Sequence, residues 1–303
     1  MTKKATAKRI DWFQAFVILF CLGAAVITVY PMWYVLAMSI NDPFEAARGN
    51  LIFNLFPTTL YLGGYKTILS DPNLWRSAGM SVFYAAAGTL LMLITCVLGA
   101  YPLTRPNLKF RKLVVIFLII PMYFGGGLIP GYLLIEKLGM YNTVWAILLP
   151  GAFSVWNIML TRTFFMSIPM ELAESAYMDG ANNFQIMGYI YTPLSTAVLA
   201  VIAIYTIVGI WNSWFNAMIY LPNYRLHPVQ MYLQRILIAQ TVDVSKLKDL
   251  TSLDEVAALM RKAMGARQLK YAMIIVVSLP ILMVYPMFQK HFVKGVMLGS
   301  LKG

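Results

Sequence analysis

Long stretches without a single charged residue alternate along this chain with short segments that hold most of its charges. Each uncharged stretch is long enough to supply the roughly 20 apolar residues that an α-helix needs to cross a lipid bilayer. The pattern therefore predicts six membrane-spanning helices in one transmembrane domain that covers residues 1–303. The predicted spans are approximately 13–40, 78–104, 113–135, 139–161, 194–221 and 270–289, with a loop at 162–193 and another at 222–268.

The composition indicates that lipid, not water, surrounds these helices. Hydrophobic residues make up 60% of the 303 and charged residues only 12%, whereas about a quarter of the residues in soluble domains are charged. Cys21 and Cys96 lie inside apolar stretches, so we interpret both as small hydrophobic side chains and expect no disulfide framework. The predicted fold class is an all-α polytopic membrane protein.

Lysine and arginine residues near the span ends predict the orientation of the chain. The N-terminal segment, the loop after the second span and the C-terminal tail are all basic, and six alternating spans place them on one side. We predict that this side is the cytoplasm, so both termini should lie there. The net charge of +12 then reflects membrane orientation, not nucleic-acid binding. The loop at 222–268 is also basic although alternation places it outside, but its four acidic residues and its length weaken that conflict.

An acidic segment, ELAESAYMDGANNF, interrupts the apolar pattern between the fourth and fifth spans. It predicts a short helix from Pro169 to Asp179, with Glu171 and Glu174 near the positive end of the helix dipole and Gly180 as a left-handed stop. Helices that lie on a membrane surface favour lysine and arginine, and this segment has neither. We therefore expect it to bind a protein in the cytoplasm. One face of the helix is formed by Leu172, Ala173, Ala176 and Tyr177.

The same segment resembles the signature of permease subunits in binding-protein-dependent ABC importers, where a Glu-Ala-Ala triplet (the EAA motif) precedes a glycine and an Ile-x-Leu-Pro group. Here Glu174–Ala176 correspond to the triplet, Gly180 to the glycine and Ile190–Pro193 to the last group. Ser175 and Thr192 replace the usual alanine and leucine, and both changes are mild in size. The surrounding sequence is similar to the carbohydrate branch of the family, in particular to the smaller permease of the maltose importer.

Three further segments resemble the branch that imports oligosaccharides or polysaccharide fragments: Pro121–Gly151, Trp211–Leu221 and Tyr285–Gly303. The resemblance implies that the acidic helix is a coupling helix, which fits a cleft in a cytoplasmic ATP-binding subunit. The residues expected to contact that subunit are Glu171, Leu172, Ala173, Glu174, Ala176, Tyr177, Asp179 and Gly180.

The resemblance also implies the remaining partners and the location. They are a second homologous permease, two copies of the ATP-binding subunit, an extracytoplasmic sugar-binding protein and a carbohydrate substrate. The chain would lie in the bacterial cell (inner) membrane. It would bind no cofactor itself, because ATP and Mg belong to the partner subunits.

Other classes of protein fit the residues less well. The chain contains no G-x-x-x-x-G-K-[ST] stretch to hold a nucleotide, and its two histidines are too far apart to suggest a metal site. An intramembrane enzyme would need His, Asp or Cys groupings that the sequence lacks. The main alternative, an ion-coupled secondary transporter of a small solute, would need ionisable residues at membrane depth, but all twelve acidic residues fall outside the predicted spans.

A sugar path needs aromatic surfaces together with hydrogen-bonding groups, and the fifth span offers both. A helix there would place Asn212 and Asn216 one turn apart, although asparagines can also join helices and tryptophans can mark the membrane interface. Gly125–Gly127 should break the third span, either as a kink with close helix packing or as backbone beside a cavity. The candidate path residues are Trp211, Asn212, Trp214, Asn216, Tyr123, Trp156 and Asn157.

Overall fold

The computed structural model describes residues 12–48, 56–57, 59–239, 264–284 and 286. Helices make up nearly all of the regular structure in this part of the chain, as predicted for an all-α protein. The one β feature found there is an isolated antiparallel bridge between Asn41 and Leu60.

The described helices, in chain order, are α1 (Trp12–Ile40), α2 (Pro43–Arg48), α3 (Gly63–Leu69), α4 (Pro72–Thr104), α5 (Arg111–Tyr123), α6 (Leu128–Lys137), α7 (Trp145–Gly151), α8 (Val155–Met166), α9 (Met170–Met178), α10 (Asn183–Ile186), α11 (Thr192–Leu194), α12 (Thr196–Asn212), α13 (Phe215–Tyr220), α14 (Val229–Ala239) and α15 (Met264–Val284). A π-helical turn, Met187–Tyr191, lies between α10 and α11, and a 3₁₀ turn, Tyr224–Leu226, precedes α14.

Three of the described helices are long and apolar enough to cross a membrane, namely α1, α4 and α15. Two bent pairs of helices give two further spans if each pair is counted as one span. They are α5 with α6, which meet at 115°, and the helical segment 183–194 with α12, which meet at 79°. The described structure therefore supports three to five spans, and the count of six stays a prediction. Two boundaries also differ from the predicted ones, because α4 and α15 each begin six residues earlier.

The predicted fourth span, 139–161, is not one helix in the structure. It is divided between α7, which ends at Gly151, and α8, which begins at Val155. Ser154 then adopts an extended conformation and caps α8, where its hydroxyl accepts a hydrogen bond from the backbone N–H of Asn157.

The described residues divide into two compact units. The first comprises those up to Ser70 together with those from Leu237 to Val276. Its interior contains the side-chain amide of Gln268, which donates to the carbonyl oxygens of Asn41 at 3.2 Å and of Tyr61 at 2.9 Å. These bonds join α15 to the chain on either side of α2.

The second unit, Asp71–Ile236 with the residues from Val277 onward, is organised around α4. Its main hydrophobic core contains Cys96 and Ala100 of α4, Ile158 and Phe165 of α8, and Ile202 of α12. Cys96 is a buried free thiol, as predicted, whereas Cys21 is exposed on α1. Small residues on α4 allow the neighbouring helices to come close, which is the usual way in which helices pack in lipid.

The two ends of α4 contact different loops. In its first half, the hydroxyl of Tyr84 donates to the carbonyl oxygen of Leu226 at 3.0 Å, and Ser81 accepts from the backbone N–H of Val229 at 2.8 Å. Near its other end, the hydroxyl of Tyr101 donates to Asn183 at 3.2 Å. Residues 84 and 101 are about 26 Å apart along a helix that rises ~1.5 Å per residue. The segment after α13 and the segment after α9 therefore lie at opposite ends of α4, as alternating spans require.

A cap fixes the start of α4. The carboxylate of Asp71 accepts hydrogen bonds from the hydroxyl of Tyr232 and from the backbone and side-chain nitrogens of Asn73. The bond from Tyr232, more than those from Asn73, holds the pKa of Asp71 below its usual range. These contacts join α14 to the start of α4.

Enlarging Gly99 should loosen the core around α4. A Cβ atom at this position would lie 3.1 to 3.3 Å from three carbon atoms of Ile158, a buried side chain of the main core. Gly99→Val should therefore destabilise the protein by about 1–3 kcal/mol through overpacking. The measurement is thermal unfolding of the purified complex in detergent.

Gly79→Val is the matched control, because Gly79 lies on the same helix and a Cβ atom there would meet nothing within 4 Å. Both variants change helix propensity equally, so the difference between them reports packing. Equal unfolding temperatures would contradict the close contact between α4 and α8.

Candidate functional site

The acidic segment forms the short helix α9, as the sequence predicts. The helix begins at Met170, one residue later than expected, because Pro169 has an extended ψ of 133° and stands just before it. Glu171 lies in the first turn, where a carboxylate interacts favourably with the helix dipole. With nine residues at ~1.5 Å each, α9 is about 13 Å long.

Gly180 ends the helix in the predicted left-handed conformation, with φ at +83°. The backbone N–H of Gly180 donates to Tyr177 O at 3.0 Å, and that of Ala181 donates to Ala176 O at 2.9 Å. This pair of bonds is the Schellman motif, which requires positive φ at the residue that follows the C-cap. The chain then reverses at Asn182, which caps α10 by exchanging hydrogen bonds with Gln185.

The burial of α9 corrects one predicted contact. Ala173 has no exposed surface and belongs to the main core of the second unit, so it packs against its own chain and offers nothing to a partner. Ala176 is partly buried against the same core. The other predicted contact residues are exposed, and they are Glu171, Leu172, Glu174, Tyr177, Asp179 and Gly180.

Met178 is an exposed residue of α9 that the sequence reasoning missed. Its side chain is 88% exposed, next to the half-exposed ring of Tyr177. The available signal was its spacing, because it lies four residues after Glu174 on the face opposite the buried alanines. Its exposure makes it the most accessible apolar side chain of the helix.

A second group of residues that the sequence reasoning missed fixes α9 to the end of α4. The side-chain oxygen of Asn183 accepts hydrogen bonds from the hydroxyls of both Tyr101 and Tyr177. Arg105, the residue after α4, lies against the rings of Tyr101 and Tyr191, with centroid distances of 4.2 and 4.6 Å. No local pattern could reveal this group, because its members come from three separate segments.

The two path asparagines do not share a helix face. Asn212 is the last residue of α12, and Ser213 then has an extended ψ of 121°, so Asn216 lies on the separate helix α13. Their predicted spacing of one helical turn is therefore wrong. Both side chains are exposed, and Asn212 accepts a hydrogen bond from Gln230 at 3.3 Å.

Trp211 is part of the protein interior and does not line a path. Its indole N–H donates to the carbonyl oxygen of Val277 at 3.1 Å, and its ring is buried. Asn157 on α8 contacts α4, because its side-chain amide lies 3.5 Å from the sulfur of Met92. Trp214 is partly exposed, and the remaining candidates, Tyr123 and Trp156, are exposed.

The glycine-rich break in the third predicted span is present. Gly127 has φ at +84°, and α5 and α6 meet there at 115°. A Cβ atom on Gly125, Gly126 or Gly127 would meet nothing within 4 Å. Close packing within the described chain therefore does not explain the three glycines, and the positive φ explains Gly127 alone. Near the break, Trp156 lines a mainly apolar cavity of about 590 Å³.

Within the described residues, several apolar helices and an exposed acidic helix between them fit a membrane permease subunit. Residues 97–298 match the family described as binding-protein-dependent transport system inner membrane component. The chain belongs to this family, so the family predicted from the sequence is confirmed. It is an inner-membrane component and not an enzyme, and ATP hydrolysis belongs to a partner subunit. The alternative of an ion-coupled transporter is not favoured.

Relatives match over nearly the whole length. Protein LplC of Bacillus subtilis is 39% identical over 287 residues, which cover 94% of this chain and 93% of LplC. The polygalacturonan/rhamnogalacturonan transport system permease protein YtcP of the same organism is 34% identical, with coverages of 94% and 96%. Among solved structures, a bacterial ABC transporter involved in the import of the acidic polysaccharide alginate contains a chain that is 30% identical. Its TM-score is 0.81, with coverages of 95% and 100%.

Gly180 offers a sharp test of the turn that ends α9. Valine strongly disfavours positive φ, so Gly180→Val should strain the turn by about 1–3 kcal/mol and displace the helix. Because insertion depends on the apolar helices, the variant should still reach the membrane. Less ATP-binding subunit should copurify with this variant, or the assembled complex should hydrolyse ATP without transporting substrate.

Two companion variants show whether backbone strain is the cause. Gly180→Asn should keep more function than the valine variant, since asparagine tolerates the left-handed region better. Gly188→Val is the matched control, because Gly188 is exposed, has no positive φ and has open space around it. Wild-type transport by Gly180→Val would show that this turn does not set the position of α9.

Proposed function

We propose that this chain forms part of the translocation path of an ATP-driven importer of oligosaccharides or polysaccharide fragments. In this proposal α9 is the coupling helix and fits a cleft in a cytoplasmic ATP-binding subunit. The observation that carries the proposal is the two-sided setting of α9. Ala173 fixes one side in the core, and the other side presents carboxylates beside Leu172 and Met178.

The mechanism follows from this setting. When two ATP-binding subunits close around ATP and Mg, each would move the coupling helix that it holds. Because α9 shares its core with α4, α8 and α12, the movement would reach the membrane helices instead of bending a loose loop. Glu171 and Glu174 are suited to pair with basic residues of the ATP-binding subunit, in addition to their favourable position near the helix start.

The assembly that we propose contains a second homologous permease, two ATP-binding subunits and an extracytoplasmic sugar-binding protein. This chain itself would bind no cofactor, and both of its termini would be cytoplasmic. Of the candidate path residues, Asn212, Trp214, Asn216, Tyr123, Trp156 and Asn157 have exposed or partly exposed side chains. These six stay our candidates for contact with the sugar.

We further propose that the substrate is an acidic polysaccharide fragment. YtcP is named for polygalacturonan and rhamnogalacturonan, and the matched importer structure for alginate, which its title calls an acidic polysaccharide. The loop at 222–268 of this chain contains seven lysines and arginines against four acidic residues. Positive charge on an extracytoplasmic loop is unusual for a membrane protein, but it would attract a polyanion.

Removing the apolar side chains on the exposed face of α9 should weaken the hold of the ATP-binding subunit. Leu172→Ser together with Met178→Ser should lower the recovery of that subunit on purification by about tenfold, which corresponds to ~1.4 kcal/mol. Tyr189→Ser is the control, since this ring is 82% exposed but lies outside α9. Unchanged recovery by the double variant would refute docking through this face.

The charge of the substrate can be tested with a matched pair of sugars. Oligogalacturonate and its methyl-esterified form have similar size, but only the first carries carboxylates. Uptake into cells or proteoliposomes that contain the complete importer should be at least about tenfold faster for the charged form, a difference of ~1.4 kcal/mol. Equal uptake of both forms, or faster uptake of the ester, would contradict an acidic substrate.

A further inference from the structure

A cavity of about 570 Å³ lies between the end of α4 and the segment that begins with α9. Its walls are mainly apolar and include Leu98, Pro102, Met170 and Phe184. Arg105 also lines it, and none of the lining residues is acidic. The cavity therefore combines an apolar surface with a single positive charge.

The guanidinium group of Arg105 has no acceptor in the described structure. Its Nε and Nη2 atoms are enclosed and make no hydrogen bond, and its charge is met only by the faces of Tyr101 and Tyr191. Buried donors without an acceptor are costly, and two aromatic rings leave the positive charge without a counterion. An arginine without a counterion is suited to bind an anion, and its planar fork matches phosphate oxygens, but the enclosed Nε and Nη2 atoms must turn toward the cavity before they can donate to one.

The position of the cavity indicates where the anion comes from. Arg105 is the first residue after α4, a helix long and apolar enough to cross the membrane. At ~1.5 Å per residue the 33 residues of α4 are longer than the roughly 30 Å of hydrocarbon, so Arg105 at its end lies outside the hydrocarbon, on the headgroup side. The segment from Arg105 to Lys112 carries four basic residues and no acidic one. Basic pockets at the ends of membrane helices are suited to phosphate-bearing headgroups.

We propose that this cavity binds one anionic phospholipid, with its phosphate at Arg105 and the start of an acyl chain along Leu98 and Pro102. Met170 at the start of α9, Tyr177 near its end and Asn183 after it all line the same cavity. A bound lipid therefore contacts both ends of α9 and restrains its position relative to α4. The binding itself stands without the proposed function, and only its effect on ATP hydrolysis rests on that function.

The test measures phosphatidylglycerol retained by the purified complex, using native mass spectrometry after reconstitution in mixtures with phosphatidylcholine. Arg105→Gln should weaken retention of phosphatidylglycerol by about tenfold, since it removes a charged hydrogen-bond donor. Leu98→Trp should weaken it similarly by filling the apolar part while keeping the arginine. Arg111→Gln is the matched control, because it removes the same charge from the same basic segment, at the start of α5, and lies outside the cavity.

The remaining outcomes separate the alternatives. An equal loss of phosphatidylglycerol retention in Arg105→Gln and Arg111→Gln would show general attraction of anionic lipid to the basic segment. That result would overturn the proposed lipid site. Displacement of phosphatidylglycerol by inorganic phosphate would show a site for free anions. Loss of the ATP-binding subunit from Arg105→Gln with lipid retention unchanged would show that a carboxylate of that subunit pairs with the arginine. Either of these two results would overturn the lipid proposal. Lipid retention is measured without transport, so a failure of the proposed function would leave the result of this test unchanged.

Discussion

The burial of the Ala173 methyl group is the contact on which the coupling arrangement depends. A helix of nine residues is too short to be stable in water by itself, so α9 needs a surface to hold it. That surface is the core of α4, α8 and α12, which Ala173 enters without leaving any exposed area. A larger side chain would push the helix away from this core. Small residues in this signature thus permit close contact inside the chain, in addition to any contact that they permit with a partner.

Hydrogen bonds attach α9 to α4 in addition to the packing of the Ala173 methyl group. The side-chain oxygen of Asn183 accepts one hydrogen bond from the hydroxyl of Tyr101 on α4 and another from the hydroxyl of Tyr177 on α9. A movement of α9 therefore changes hydrogen bonds at the end of α4. The Schellman bonds at Gly180 and the exchange between Asn182 and Gln185 leave little freedom in the turn between these contacts. A force applied to α9 therefore reaches α4 through directed bonds as well as through packing.

Local signals explain what the sequence could predict. The extent of α9, its acidic first turn and the left-handed Gly180 depend on residues close together in the chain, and all three are present. Features that depend on tertiary contacts could not be predicted: the inward direction of Ala173, the setting of Trp211 against Val277, and Arg105 against two tyrosines. The break in the fourth predicted span was missed because hydropathy counts apolar residues and does not register the backbone between Gly151 and Val155, where α7 has ended and α8 has not begun. Hydropathy also does not register the break at Ser213, which places Asn212 and Asn216 on different helices.

The π-helical turn that follows α10 changes the rotational phase of the chain. Ile186 and Tyr191 are five positions apart, and in an α-helix such residues would point about 140° away from each other. Both are nevertheless buried in the same core, because a π turn bonds each residue to the one five positions on, as the N–H of Thr192 does with Met187 O. The extra residue thus brings two side chains onto one face. Deleting a single residue here would rotate everything before it by about 100° about the helix axis and turn the exposed carboxylates of α9 away from their present direction.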